Sequence, residues 1–108
     1  MIARIWHGWT TKANADVYES ILRDGIFVGI QNRQLKGLKG IQVLRREHPE
    51  EIEFLVITRF ESLDAVRNFA GENYEDCVVP PEARAVLVRF DLKVKHYEVR
   101  EELLAFAE

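Results

Sequence analysis

The spacing of apolar residues divides the chain into segments with the period of strands or of helices. Trp6 and Trp9 lie in a first segment with few helix-forming residues, Ile2–Thr10, which predicts a β-strand. Asn14 is suited to cap the helix that follows, whose apolar residues recur every three or four positions. These residues are Val17, Tyr18, Ile21, Leu22 and Ile26. The helix is predicted to end near Gly29.

The middle of the chain predicts a β-hairpin and a second helix. A strand over Ile41–Glu47 leads through a charged turn with Pro49 to a strand over Glu51–Phe60, in which four apolar residues follow one another. Ser62 is suited to cap the next helix, and Gly71 ends it. The apolar stripe of this helix consists of Leu63, Val66, Phe69 and Ala70.

The last third of the chain predicts a short helix and a final strand. Pro80 and Pro81 favour the first turn of a short helix, because proline is tolerated where the backbone N–H groups have no helical partner. The segment Leu92–Arg100 alternates in part and predicts the last strand.

The order strand, helix, strand, strand, helix, strand predicts an α+β protein with the ferredoxin-like βαββαβ arrangement. Both helices then cover one face of an antiparallel sheet. The predicted strands are apolar on both sides, since Phe54 and its neighbour Leu55 point to opposite faces. We therefore expect a second copy of the chain to cover the open face. The alternative is that the tail around Leu103, Leu104 and Phe106 folds back onto it.

Composition narrows the class of protein further. The 108 residues, 47% hydrophobic and 31% charged, suit a single domain spanning residues 1–108. The chain has one cysteine, no signal-peptide layout and no apolar stretch long enough to cross a bilayer. These features favour a location in the cytoplasm over one in a membrane. The net charge of −3 argues against a nucleic-acid-binding protein. No histidine motif with metal-ligand spacing occurs, so we expect no metal site.

Several motifs together resemble a known family. The chain opens with a strand that contains a tryptophan, Met1–Trp6. A strand that begins with glycine, Gly40–Arg46, is predicted to pair with Glu53–Thr58. The chain then continues into the segment Phe60–Val66. This arrangement resembles the antibiotic-biosynthesis monooxygenase family of dimeric α+β barrels over most of the chain. The resemblance implies a homodimer with two sheets packed face to face. Enzymes of that family oxygenate phenolic polyketides without metal or flavin, degrade haem or act on quinols, and other members have no known activity.

The haem-degrading members provide a comparison for individual positions. Their site consists of an Asn on the first strand, a Trp on the second helix and a His after that helix. Trp6 and Phe69 stand at the first two of these positions, and no His lies between Phe60 and Arg89. The comparison argues against haem, and we expect no cofactor.

Two histidines are candidate catalytic bases. Imidazole is suited to taking a phenolic proton near neutral pH. His7 and His96 lie in the first and last predicted strands, which are neighbours in this arrangement, so the two side chains are expected to lie near each other. A structural hydrogen bond or a place at the subunit interface is the alternative for either histidine.

The candidate substrate-binding residues are Arg4, Trp6, Arg59, Phe60 and Phe69. Their aromatic rings would either line a pocket for a small aromatic ligand or belong to the core. Arg4 or Arg59, on a sheet that is apolar on both faces, needs an anionic ligand, a carboxylate or the rim of the dimer as its partner. Two functions stay open: a cofactor-independent monooxygenase for a small aromatic or quinol substrate, and a non-catalytic homodimeric small-molecule-binding or structural module.

Overall fold

The computed structural model describes residues 1–105, which form an antiparallel sheet of five strands with helices packed on one face. The strands are β1 (Ile2–Thr11), β2 (Leu38–Glu47), β3 (Glu51–Phe60), β4 (Arg89–Phe90) and β5 (Lys95–Glu98). The helices are α1 (Ala15–Ile21), α2 (Phe27–Asn32), α3 (Leu63–Ala70) and α4 (Pro81–Arg84). The strand order is β2-β3-β1-β4, and β5 also pairs with β1. The ferredoxin-like α+β prediction is confirmed.

The first helical region is longer than the sequence predicted. α1 continues through a π-helical segment, Leu22–Ile26, directly into α2, so Gly29 lies inside a helix rather than at its end. Glycine ends a helix by adopting a left-handed conformation, and Gly29 does not have a positive φ. Asn14 stands at the predicted N-cap position, but its side chain makes no capping hydrogen bond.

The hairpin and α3 follow the sequence closely. β3 has the predicted bounds, and β2 begins at Leu38, three residues earlier than expected. The hydroxyl of Ser62 accepts a hydrogen bond of 3.2 Å from the backbone N–H of Ala65, as expected of an N-cap. Gly71 ends the helix with φ 87°, a left-handed value that glycine adopts without a steric penalty.

The last strand is shorter than predicted, and a separate short strand, β4, precedes the predicted segment. Only 95–98 of the expected segment Leu92–Arg100 form β5, and the short strand β4 pairs with another part of β1. Between them the chain leaves the sheet because its backbone finds partners in a neighbouring loop. The N–H of Cys77 donates to the carbonyl of Leu92 at 3.1 Å, and the N–H of Val94 donates to the carbonyl of Glu75 at 2.7 Å.

The sheet has one face under the helices and one open face, and both carry apolar side chains. Trp6 pairs with Val56 on the helix face, where both pack against the main core cluster. Leu44 pairs with Leu55 on the open face, as the alternation along the strands requires. No helix of residues 1–105 is long and apolar enough to cross a membrane.

The tail does not cover the open face as far as the structure describes it. Residues 101–105 are all exposed, with Leu103 at 93% and Leu104 at 66% relative exposure. Phe106, the third residue of the expected covering segment, lies outside the described residues.

Candidate functional site

A cleft of about 130 Å³ lies between the helices and the sheet. β1 and β3 contribute its floor, while α1, the π-helical segment, α2 and the segment before α4 contribute its other sides. Its lining is mostly apolar and aromatic and includes Trp6, Tyr18, Phe27, Phe69 and Val79. An apolar cavity with few polar groups is typical of a site for a small organic ligand.

Arg4 is the charged side chain in the lining of this cleft. Its Nη1 donates to the backbone carbonyl of Tyr74 at 2.6 Å and to Nε2 of His96 at 2.9 Å. Its guanidinium carbon lies 5.4 Å from the centre of the Phe69 ring, within the range of a cation–π interaction. Burial lowers the pKa of Arg4, because partial removal from water disfavours the charged form. Arginine nevertheless stays protonated in proteins, so the cleft contains a positive charge.

The strand register explains why these polar groups meet. Arg4 on β1 pairs with Thr58 on β3 and with His96 on β5, so the three side chains form one row across the helix face. Arg4 and Trp6 are two residues apart on one strand and share that face. Thr58 is buried and also lines the cleft.

His96 is held in its neutral form beside this charge. Burial lowers its pKa, and the Arg4 guanidinium lowers it further. Arginine has no acceptor atom, so Nε2 of His96 accepts from Arg4 and the ring proton is assigned to Nδ1. The Tyr74 ring meets the imidazole edge-on at 5.1 Å between ring centres. His96 is therefore a neutral imidazole fixed behind Arg4.

His7 lies on the open face, so the expectation that the two histidines are close together is wrong. Its Nδ1 is 3.1 Å from Oδ2 of Asp91, and its Nε2 is 3.6 Å from Oε2 of Glu53. Its ring stacks on Trp9 at 5.7 Å. β5 places His96 beside residue 4 of β1, and positions 4 and 7 of a strand point to opposite faces.

The remaining candidates divide between the cleft and other parts of the fold. Trp6 and Phe69 line the cleft, whereas Phe60 is fully buried in a separate core cluster below Phe69. Arg59 lies on the open face and forms an ion pair of 2.7 Å with Glu102. The structure thus brings together Arg4, Trp6 and Phe69, but not Arg59 or Phe60.

Two contributors to the site were missed in the sequence. Thr58 interrupts the apolar positions on one face of β3, and that polar position is a signal that sequence reasoning had available. Tyr74 acts through its backbone carbonyl and its ring edge. No residue pattern indicates such a carbonyl, because it depends on how the loop after α3 passes the sheet.

Neither Cys77 nor a metal-binding cluster adds a reactive group to the cleft within the described residues. Burial raises the pKa of the Cys77 thiol, which favours its protonated, unreactive form. Within residues 1–105 no three side chains of the His, Cys, Asp and Glu types are grouped so that they could hold a metal ion.

Comparison with known proteins identifies the fold. No family model matches the sequence, and no curated protein does. Among solved structures, the chain is similar to a putative antibiotic biosynthesis monooxygenase from Bacillus cereus, with 18% identity, a TM-score of 0.64, and coverage of 96% of this chain and 97% of that one.

Two further structures extend this likeness. SnoaB, a cofactor-independent oxygenase from Streptomyces nogalater, has 16% identity and a TM-score of 0.59, with 94% and 96% of the two chains covered. The haem-degrader MhuD from Mycobacterium tuberculosis, solved with two haems in its active site, has 20% identity and a TM-score of 0.58, with 95% and 99% covered. At these identities the likeness establishes a common fold, and the prediction of an antibiotic-biosynthesis-monooxygenase-like fold is confirmed.

Proposed function

We propose that this protein is a cytoplasmic, homodimeric, cofactor-independent monooxygenase that binds a small aromatic or quinol substrate in the cleft between helices and sheet. The observation that carries the proposal is the pairing of the Arg4 cation with the neutral His96 imidazole at an apolar, aromatic-lined cleft. The fold shared with SnoaB, which is described as a cofactor-independent oxygenase, supports the same reaction class.

The roles of the two residues follow from their chemistry. Neutral His96 lies behind Arg4, outside the cleft lining, and accepts the proton of a bound phenol at Nε2 once the ligand displaces the hydrogen bond from Nη1 of Arg4. The phenolate that forms is stabilised by the neighbouring guanidinium, because a charge developing in a water-poor site is strongly favoured by a fixed opposite charge. Trp6 and Phe69 hold the flat ring.

The oxidation then uses O₂ alone. The phenolate is electron-rich and donates electrons to O₂, so that one oxygen atom becomes bonded to a ring carbon. The O–O bond then breaks, and the second oxygen leaves as water with protons from the substrate, one of them returned by His96. One hydroquinone and one O₂ thereby give one hydroxyquinone and one water, with four electrons passing from the ring to oxygen.

The homodimer is supported by the open face of the sheet. Leu44, Leu55 and Ile57 lie on that face, and no described helix covers them. Exposed apolar patches of this kind are uncommon on monomeric proteins. The tail through Ala105 is exposed and contacts this face through the Arg59–Glu102 ion pair, which leaves the apolar part of the face available to the same face of a second copy.

Oxygen uptake tests the proposal. The protein is incubated with single-ring phenols and hydroquinones. O₂ consumption is measured above the spontaneous rate, together with the formation of quinone from the phenols and of hydroxyquinone from the hydroquinones. We expect turnover by the wild type and a loss of about 100-fold or more in His96→Ala, the range found when a general base is removed. His48→Ala is the matched control, since His48 lies in the β2–β3 turn outside the cleft.

Two outcomes would overturn this assignment. Turnover that is unchanged in His96→Ala would exclude His96 as the base. Turnover that is lost in His7→Ala but kept in His96→Ala would move the reaction to the open face.

A non-catalytic binding module is the second candidate, and one observation favours it. Nε2 of His96 is bonded to Arg4, so it can accept a proton only when a ligand displaces that bond. A cleft that binds aromatic ligands with no O₂ consumption by any of them would support this function over the oxygenase.

A further inference from the structure

The guanidinium of Arg4 has one edge without a partner. Both hydrogens of Nη1 are used, one by the Tyr74 carbonyl and one by Nε2 of His96. Nε and Nη2, with three N–H donors between them, make no hydrogen bond to any atom of residues 1–105. These two nitrogens form the planar fork that binds a carboxylate through two parallel hydrogen bonds.

The charge of Arg4 is likewise uncompensated. Its neighbours are a carbonyl, an imidazole and an aromatic ring, and in residues 1–105 no carboxylate oxygen lies within 4 Å of it. Other arginines of the chain contrast with it: Arg45 contacts Asp16 at 2.8 Å, and Arg89 contacts Glu51 at 2.6 Å. A partly buried cation without a counter-ion is costly, and an anionic ligand would relieve that cost.

The free donors remain within reach of a ligand. In residues 1–105, the fully buried side-chain polar atom without a hydrogen-bond partner is Thr10 Oγ1. Nε and Nη2 of Arg4 also lack partners but do not belong to that class, so they are not fully buried. Arg4 also lines the cleft. An anion in the cleft is therefore bordered by Arg4, whose Nε and Nη2 donors are not bonded to any atom of residues 1–105.

We propose that the cleft selects a single-ring aromatic carboxylate, with the carboxylate on the Nε–Nη2 edge of Arg4 and the ring against Trp6 and Phe69. The volume of about 130 Å³ limits the ligand to a single ring, since an apolar cavity of about 150 Å³ in another protein holds one benzene ring. A tetrapyrrole is several times larger. For the oxygenase, the substrate class becomes a hydroquinone that carries its own anionic group, such as 2,5-dihydroxybenzoate.

This inference rests on the proposed function only in taking the cleft as the ligand site. Binding of benzoate and benzamide tests the carboxylate site separately from the oxygenase function. The two compounds share size and shape but differ in charge, and neither is a hydroquinone. Binding is measured by calorimetry or by chemical-shift changes. We expect the wild type to bind benzoate at least about tenfold more tightly than benzamide, the effect of a hydrogen-bonded charge pair.

Two variants of Arg4 and one control variant test whether Arg4 causes the preference for benzoate over benzamide. Arg4→Met should bind both compounds equally, and Arg4→Lys should keep part of the preference, because it retains the charge but not the fork. Arg23→Met removes an exposed arginine that pairs with Asp24 and should behave like the wild type. Arg4→Lys keeps the test decisive if Arg4→Met fails to fold.

Each result decides one of the two proposals. Failure of the wild type to prefer benzoate, or an unchanged preference in Arg4→Met, overturns the carboxylate assignment. Oxidation of hydroquinone and of dihydroxybenzoate with equal kcat/KM also overturns it, while the oxygenase proposal stands. Selective benzoate binding with no oxidation of dihydroxybenzoate removes the oxygenase proposal and leaves the carboxylate site supported.

Discussion

Arg4 and His96 are joined across two neighbouring strands by a hydrogen bond of 2.9 Å from Nη1 to Nε2. They are 92 positions apart in the chain, yet the pairing of β1 with β5 places them side by side under the helices. The bond assigns the ring proton of His96 to Nδ1, and burial together with the Arg4 charge lowers the pKa of His96 and favours the uncharged imidazole. The charge and the hydrogen-bonding groups at this side of the cleft depend on this pair.

The folded protein should lose stability in acid through His96. Burial and the Arg4 charge lower the pKa of His96 below its ordinary value of 6.5, so the unfolded chain binds this proton at a higher pH than the folded one. The contribution to the free energy of unfolding is complete above about pH 6.5 and is lost as the pH falls through the pKa of the folded state. Urea unfolding of the wild type and His96→Gln across this range measures it.

We expect the acid-induced loss to be smaller in His96→Gln, which keeps an acceptor for Arg4 but cannot titrate. NMR titration should also show the pKa of His96 rising in Arg4→Met, since the repelling charge is gone. Equal acid slopes in the wild type and His96→Gln would contradict the assignment.

Gly8→Ala should destabilise the protein and disturb the wall of the cleft. A methyl group on Gly8 would lie 2.6 Å from Cη2 of Trp6 and 3.1 Å from Cδ2 of Leu87. Overpacking of this kind costs about 1–3 kcal/mol in the free energy of unfolding. Gly40→Ala is the matched control in the same sheet, because nothing lies within 4 Å of a methyl group there. Urea unfolding compares them, and an equal effect of both substitutions would refute the steric argument.

The two predicted helix caps should differ in their contribution to stability. Ser62→Ala removes the hydrogen bond to the N–H of Ala65 and should lower the free energy of unfolding by about 1 kcal/mol. Asn14→Ala should cost much less, since the Asn14 side chain makes no capping bond. Thermal or urea unfolding measures both, and a larger loss in Asn14→Ala would show that the cap at α1 is formed after all.

A charge on the open face should prevent dimer formation. Leu44 is 43% exposed and lies on that face, so Leu44→Arg would place an unpaired cation in the proposed subunit interface. Val17→Arg on α1 is the matched control, because Val17 is similarly exposed at 49% but lies on the helical side. Light scattering should give a dimer for the wild type and Val17→Arg, and a monomer for Leu44→Arg. A monomeric wild type would rule out the homodimer.

Sequence reasoning was most accurate where one local rule decides the structure. The bounds of β3, the serine cap of α3 and the glycine that ends it all follow from side chains within a few residues. It was wrong where hydrogen bonds to a distant segment of the chain decide the structure. Leu92 and Val94 alternate like a strand, but their backbone groups bond to the loop at 75–77.

The candidate site shows the same division. Alternation along β1 by itself determined that Arg4 and Trp6 share a face and that His7 lies on the other, because successive side chains of a strand point to opposite sides. The tertiary structure alone decided that His96 stands beside Arg4 rather than His7. That depends on the register between β1 and β5, which the packing of the whole chain sets and no local pattern encodes.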